Sequence, residues 1–290
     1  MEVSTIMRAF DPEVHNTVWA AIEPLIPVPV DNHPLGCHRP RASDRDCFAV
    51  ILVRLATGCC WEDAERLCGN KVSDTTVRQR RDGWIAAGVF DAIADEAMNA
   101  YDRVIGLDLR DVADGSLHKS LVGGEGTGKN PTDRGKLGWK WSLLTDRHGI
   151  PLGWTIDGAN RNDSIMLEPT LDNAAERGLL DDVETIWLDR GYDSNVTRQR
   201  LAARNLDDAV IAKKRPTGST QAPKKNLPMG LRWPVERTNS WLSNFGQLRR
   251  NTDRKPEHRL AQLALAVAFL LTAKLIDWRN RWSQTPSPIR

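Results

Sequence analysis

A chain of 290 residues, 40% hydrophobic and 27% charged, can bury a full core and has room for one or two domains. The formal net charge of +2 excludes an overall polycation, and no apolar run follows a basic start, so no secretory signal is expected. The five cysteines all lie between Cys37 and Cys68; their odd number argues against a disulfide framework and for free, buried thiols. Zinc binding with His33 and His38 is the weaker alternative, because no C-x2-C pair exists and Cys59 and Cys60 are adjacent.

Val14, Val18, Ile22 and Leu25 predict a helix over 13–26, followed by a Pro-rich irregular stretch to about residue 43. "DRDCFAVILVRLATGCC" reads as a buried helix. "WEDAERLCG" and "SDTTVRQRRDGWIAAGVF" read as two helices around a Gly-Asn turn, the second capped by Ser73 or Asp74. That is helix-turn-helix spacing, with Arg78, Arg80 and Arg81 on or near the exposed side and a DNA-reading role expected for Arg78 and Arg80; an ordinary helical hairpin is the alternative.

Beyond about residue 105 the pattern alternates. "IGLDLRDVADGSLHK" predicts a strand and "WKWSLLTDRHGIPLGWTIDG" two strands around a His-Gly turn. A helix from Asp163, a short apolar strand "ETIWLD", another helix, the strand "DAVIAKK" and helices near 234–247 and 257–279 complete a β-β-β-α-β-α-β-α order. The fold class is α/β: a mixed sheet flanked by helices, preceded by a small all-helical domain, with the division at 1–100 and 101–290. The apolar run Leu260–Ile276 contains Gln262, Thr272 and Lys274 and is short for a membrane span, so a buried helix is expected.

"GGEGTGKN" at 123–130 imitates a phosphate loop. The position after Lys129 is Asn130, where Mg²⁺ binding needs a hydroxyl, and Pro131, Gly135 and Gly138 argue against a following helix. ATP binding is therefore not expected, and the stretch reads as a connection between strands.

Three acids occupy telling places. Asp114 is near the end of the first strand, Asp189 follows "IWL", and Glu236 lies in the first turn of a helix. Strand ends in α/β sheets are where ligands bind. Carboxylates gathered there repel one another and need hard cations such as Mg²⁺ or Mn²⁺. Taken singly, each acid has a plainer role, as a turn, a cap or an ion-pair partner. Nearby, residues 213–259 carry twelve Lys or Arg against three acids, a local excess of nine that suits a polyanion.

As a set, "DGS" at Asp114, "LDRGYDS" at Asp189 and "RWPVERTNSWLSNFGQLRR" around Glu236 closely resemble the DDE transposases of bacterial insertion sequences, most of all the insertion-sequence-five-like group. "NPTDRGKLGWKWSLLTDRHGIPLGWTIDGANRNDS" and "VWAAIEPLIP" are similar to that group as well, so the resemblance covers nearly the whole chain. It implies a ribonuclease-H-like catalytic domain in which Asp114, Asp189 and Glu236 hold two Mg²⁺ or Mn²⁺ ions. It further implies cutting at the terminal inverted repeats of a mobile element and joining of the freed 3′-hydroxyls to target DNA. Double-stranded DNA is the implied partner, bound by a homodimer in the cytoplasm at the nucleoid, with no membrane and no ATP. Only 46 residues separate Asp189 from Glu236, too few for the insertion domain of some relatives. Met229 and Ser243 stand where relatives often show Tyr and Lys, while Arg232 keeps its place. Phosphate contacts are expected from Lys129, Arg134, Lys136, Arg232 and Arg237, and from Arg249 and Arg250 in place of the missing Lys. A nuclease of this fold that cuts without joining, and an inactive DNA-binding regulator, are the competing readings.

Overall fold

The computed structural model describes residues 8–28, 40–120, 123–131, 133–212 and 233–283. Two compact units are present. The first comprises Met1–Ile105, Leu242–Asn251 and Glu257–Arg290; the second comprises Gly106–Trp241 and Thr252–Pro256.

The first unit is helical. Its elements are α1 (Pro12–Ile22), α2 (Asp44–Thr57), α3 (Trp61–Leu67), α4 (Asp74–Ala86) and α5 (Val89–Val104). The sequence reading ran α4 on past Gly88 and overlooked α5. Gly88 adopts φ +71°, which breaks the chain into two helices at little cost because glycine has no Cβ. The α3–α4 pair has the expected turn: Gly69 and Asn70 are left-handed, Ser73 caps α4 through the Thr76 N–H, and Glu65 accepts from the Asp74 N–H at 2.8 Å. Cys47 is buried, Cys59 and Cys68 are half-buried and Cys60 is exposed; all four are free thiols. Cys37, His33 and His38 lie outside the described residues.

The 28-residue helix α10 (Pro256–Ser283) belongs to this unit rather than to the catalytic half of the sequence division. Its apolar residues surround the helix, so it must be covered on all sides. Phe269 stacks on Phe48 of α2 with centroids 6.3 Å apart, and Arg279 pairs with Glu13 of α1. By length and composition it could cross a membrane, but 72% of its most apolar window is buried within the protein. Before it lie α8 (Trp233–Ser243), mostly in the second unit, and the short α9 (Gly246–Arg249).

Helix α9 lies against the end of α2, where glycine is required on both sides. Gly58 has φ +74°, and a Cβ there would meet the Gly246 carbonyl carbon at 2.7 Å; a Cβ on Gly246 would meet the Thr57 oxygen at 2.2 Å. Gly246→Ala is expected to destabilise the protein by about 1–3 kcal/mol. Urea unfolding measures this, and an unchanged midpoint would show that the two segments separate easily.

The second unit holds β1 (Asp111–Ser120), β2 (Gly128–Lys129), β3 (Leu137–Thr145), β4 (Pro151–Gly158), α6 (Asp163–Ala175), β5 (Thr185–Leu188), α7 (Asn195–Ala202) and β6 (Ala209–Ile211). The sheet order is β2-β3-β1-β5-β6, with β4 also on β3; β1 and β3 are antiparallel, while β1, β5 and β6 run parallel. This mixed sheet, with helices against it, is the expected α/β fold. Val112, Leu144, Leu152, Leu167, Leu171, Ile186, Leu188 and Leu201 form a core beneath α6 and α7. The β3–β4 turn is built by Asp146, whose carboxylate accepts from the His148 and Ile150 N–H groups at 2.8 and 2.7 Å.

Candidate active site

Alternation along β1 puts Asp114 and Ser116 on one face and Gly115 on the other. Pairing with β5 is parallel, matching Ala113 with Trp187, so Asp114 lies level with the last residues of β5, just before Asp189; β1 runs on to Ser120, so Asp114 is nearer the start of its strand than the end expected from the sequence. Asp114 is buried, at 4% exposure. Its carboxylate accepts from Ser142 Oγ on β3 at 3.0 Å and from Tyr192 Oη at 2.5 Å. Asp189 caps the 3-10 turn Arg190–Tyr192 by accepting from the Gly191 N–H at 2.6 Å. The "RGYD" run therefore has a local purpose: it aims the second acid and delivers the tyrosine that holds the first.

The electrostatics follow from this burial. Desolvation pushes the Asp114 carboxyl up to about 7, against the hydrogen bonds from Tyr192 and Ser142; the negative charges of Asp163 and Asp189 push it further up. The Tyr192 hydroxyl is raised well above its ordinary value by burial and by the same acids.

Glu236 is exposed, in the first turn of α8. The helix is fixed to the sheet by three contacts. Trp141 Nε1 donates to Asn239 Oδ1 at 2.7 Å, Thr238 Oγ donates to the Gly149 oxygen, and Arg237 donates to the His148 oxygen. Gly115 explains the middle letter of "DGS": a Cβ there would lie 3.1 Å from both methyl groups of Val235, so glycine lets the turn carrying Glu236 approach β1. Among the described residues, no three His, Cys, Asp or Glu side chains are gathered in metal-holding geometry. The donor set nevertheless fits a hard divalent cation: the acids are oxygen donors, and burial and acidic neighbours disfavour the charged form of Asp114, a cost that a bound cation would offset.

The sequence reading missed four participants: Lys140, Ser142, Asp163 and Tyr192. Lys140 and Ser142 had left a signal, since they alternate with Trp139, Trp141 and Leu143 in an otherwise apolar strand. Asp163 opens α6, which Asn162 caps, and Tyr192 ends the 3-10 turn, so neither stood out as part of a site.

Among the expected DNA contacts, Lys129, Arg134 and Lys136 are exposed around β2 and the turn before β3. Gly128 and Lys129 pair with Gly138 and Leu137, so "GGEGTGKN" ends in a short strand rather than leading into a helix. Arg249 and Arg250 are exposed at the end of α9. Arg237 is half-buried and lies over the Trp241 ring at 4.8 Å. Arg78 is exposed and pairs with Asp74. Arg80 differs from the expectation of a reading residue: its side chain is 10% exposed and pairs with Asp44 of α2. Arg232, Met229 and the first half of the basic run, residues 213–232, lie outside the described residues.

Comparison with known proteins shows the family. Residues 114–271 match the family model described as "Transposase DDE domain", and residues 14–94 match "Putative transposase of IS4/5 family". The chain is 38% identical over 149 residues to "Putative transposase for insertion sequence element IS402" of Burkholderia cepacia, covering 50% of this chain and 67% of that one. An uncharacterised 16.2 kDa protein of the same insertion element is 32% identical over 41% of this chain and 82% of its own length. The transposase for insertion sequence element IS1106 of Neisseria meningitidis serogroup B is 31% identical over 40% of this chain and 37% of its own.

Proposed function

The chain belongs to the DDE transposases of the IS4/5 insertion-sequence family, and from that premise we propose that it cuts the terminal inverted repeats of its element and joins the freed 3′-hydroxyls to target DNA. The observation that carries the reading is the parallel register that sets Asp114 beside the C-terminal end of β5, where Asp189 follows, with the first turn of α8 brought close by Gly115. Asp114, Asp189 and Glu236 would hold two Mg²⁺ or Mn²⁺ ions. When bound, such a pair supplies an activated water and stabilises the leaving oxygen of a phosphodiester. Ser142 and Tyr192 hold Asp114 in one orientation, and the Gly191 N–H does the same for Asp189. Lys129, Arg134 and Lys136 face solvent and would take phosphates. The chain would act as a homodimer on DNA, at the nucleoid. The test is a strand-transfer assay with labelled element ends and supercoiled target. Joined products support the reading; cleavage without joining would leave a nuclease, and neither product would overturn both.

The same proposal divides the labour of DNA contact. Arg249→Ala or Arg250→Ala is expected to weaken binding to any DNA and to flatten the salt dependence by about one unit per lost phosphate contact. Arg78→Ala is expected to cost about 1–3 kcal/mol of preference for the terminal repeat over random DNA. Arg80→Ala should instead lower stability, because its guanidinium holds Asp44. Competition binding at two salt concentrations separates these effects. Uniform loss of affinity in Arg78→Ala would remove the α3–α4 pair from sequence reading.

A further inference from the structure

We propose that Lys140 is a positioning residue that stands in for the divalent cation when the site is empty, holding Asp163 as a fourth acid beside Asp114 and Asp189. This rests on the metal-site reading above. Lys140 sits in the middle of β3, between Trp139 and Trp141, and its side chain is only 2% exposed. A lysine so deep cannot reach a DNA phosphate, and a buried ammonium is costly unless it is paired. Its partner is Asp163, the first residue of α6, with Nζ 2.5 Å from Oδ1. Ser116 Oγ donates to that same oxygen at 2.6 Å. Ser116 is two residues beyond Asp114 on β1, and Lys140 is two residues before Ser142, which holds Asp114. The pair thus belongs to the same face of the sheet as the first acid.

The other oxygen of Asp163 turns toward the second acid. A Cβ at Gly191 would lie 2.9 Å from Asp189 Oδ1 and 3.7 Å from Asp163 Oδ2, so the two carboxylates flank one glycine. Asp163 is also near enough to Asp114 and Tyr192 to act on both electrostatically. Even with Asp114 protonated, the carboxylates of Asp163 and Asp189 outnumber the one ammonium, an excess of negative charge that a divalent cation would correct. Before that cation arrives, Lys140 limits their repulsion and keeps Asp163 in register. A positive charge fixed in the fold keeps the site assembled at low metal concentration.

The experiment uses the full chain and Mn²⁺ as probe, with calorimetric titration and thermal melts in chelator and in saturating Mn²⁺. Lys140→Gln should melt earlier than wild type in chelator and gain more from Mn²⁺, so that the metal-induced shift is larger. Asp163→Asn should bind Mn²⁺ about tenfold more weakly. The double variant should return toward the wild-type melting temperature in chelator, because the unpaired charge is gone. An equal metal-induced shift in Lys140→Gln, together with unchanged affinity in Asp163→Asn, overturns the proposal. If Lys140→Gln fails to fold, the double variant decides: folding supports an electrostatic role, and failure makes Lys140 a packing residue and ends the proposal. Asp114→Asn separates the two levels. If it binds Mn²⁺ like wild type, the metal site itself is misassigned. If it loses Mn²⁺ while the Lys140 and Asp163 variants behave as wild type, only this inference fails.

Discussion

Asp114→Asn is expected to abolish strand cleavage and, in metal-free buffer, to make the protein more stable at pH 8. Both effects come from one burial. The Asp114 carboxyl is raised to about 7, mainly by desolvation. A raised carboxylate binds its proton more tightly in the folded state than in the unfolded one. Below about pH 4 the group is protonated in both states and contributes nothing. As pH rises from about 4 to 7, the unfolded state gives up this proton while the buried group keeps it, and stability falls; above that both states are ionised and the penalty is complete. The shift corresponds to at most about 4 kcal/mol. The asparagine returns part of that gain, since its amide N–H stands where an oxygen accepted a hydrogen bond. Melts of wild type and variant between pH 4 and pH 8, in chelator, check this. The wild type should lose ground across that window relative to the variant. Parallel profiles would mean that Asp114 is solvated in the free protein.

Glu236→Gln should lose cleavage by a comparable factor, on the order of 10²–10³, which is what one electrostatic contact to a developing charge is worth. Its effect on stability should be close to zero, because Glu236 is exposed. The contrast with Asp114→Asn is informative: one acid is costly to fold and the other is not, while the proposed reaction needs both. Cleavage of a labelled element end, with melting temperatures alongside, reads both quantities. Wild-type cleavage by Glu236→Gln would remove it from the catalytic set and leave Asp163 as the nearest substitute.

Much of this protein was legible without its structure, because the informative signals are local. The period-two pattern from residue 111, the Gly-Asn turn before Ser73 and the acids at the ends of apolar runs depend on neighbours in sequence. What lay beyond reach depended on distant partners. The α4–α5 break was hidden because Gly88 is tolerated inside a helical pattern until packing selects its left-handed conformation. Helix α10 reads like a continuation of the catalytic half, but an all-round apolar helix goes wherever enough surface exists to cover it, and α1 and α2 supply part of it. The sequence by itself determined the fold class, the family and the positions of Asp189 after its short strand and Glu236 in the first turn of its helix, while Asp114, expected near the end of its strand, lies near the start of β1. Only tertiary structure decided that Arg80 supports α2 instead of facing solvent, that Ser142 and Tyr192 hold the first acid, and that Lys140 pairs with Asp163. The reason is physical: periodicity fixes the face of an element, whereas the partner of a buried charge is set by which strands and helices become neighbours.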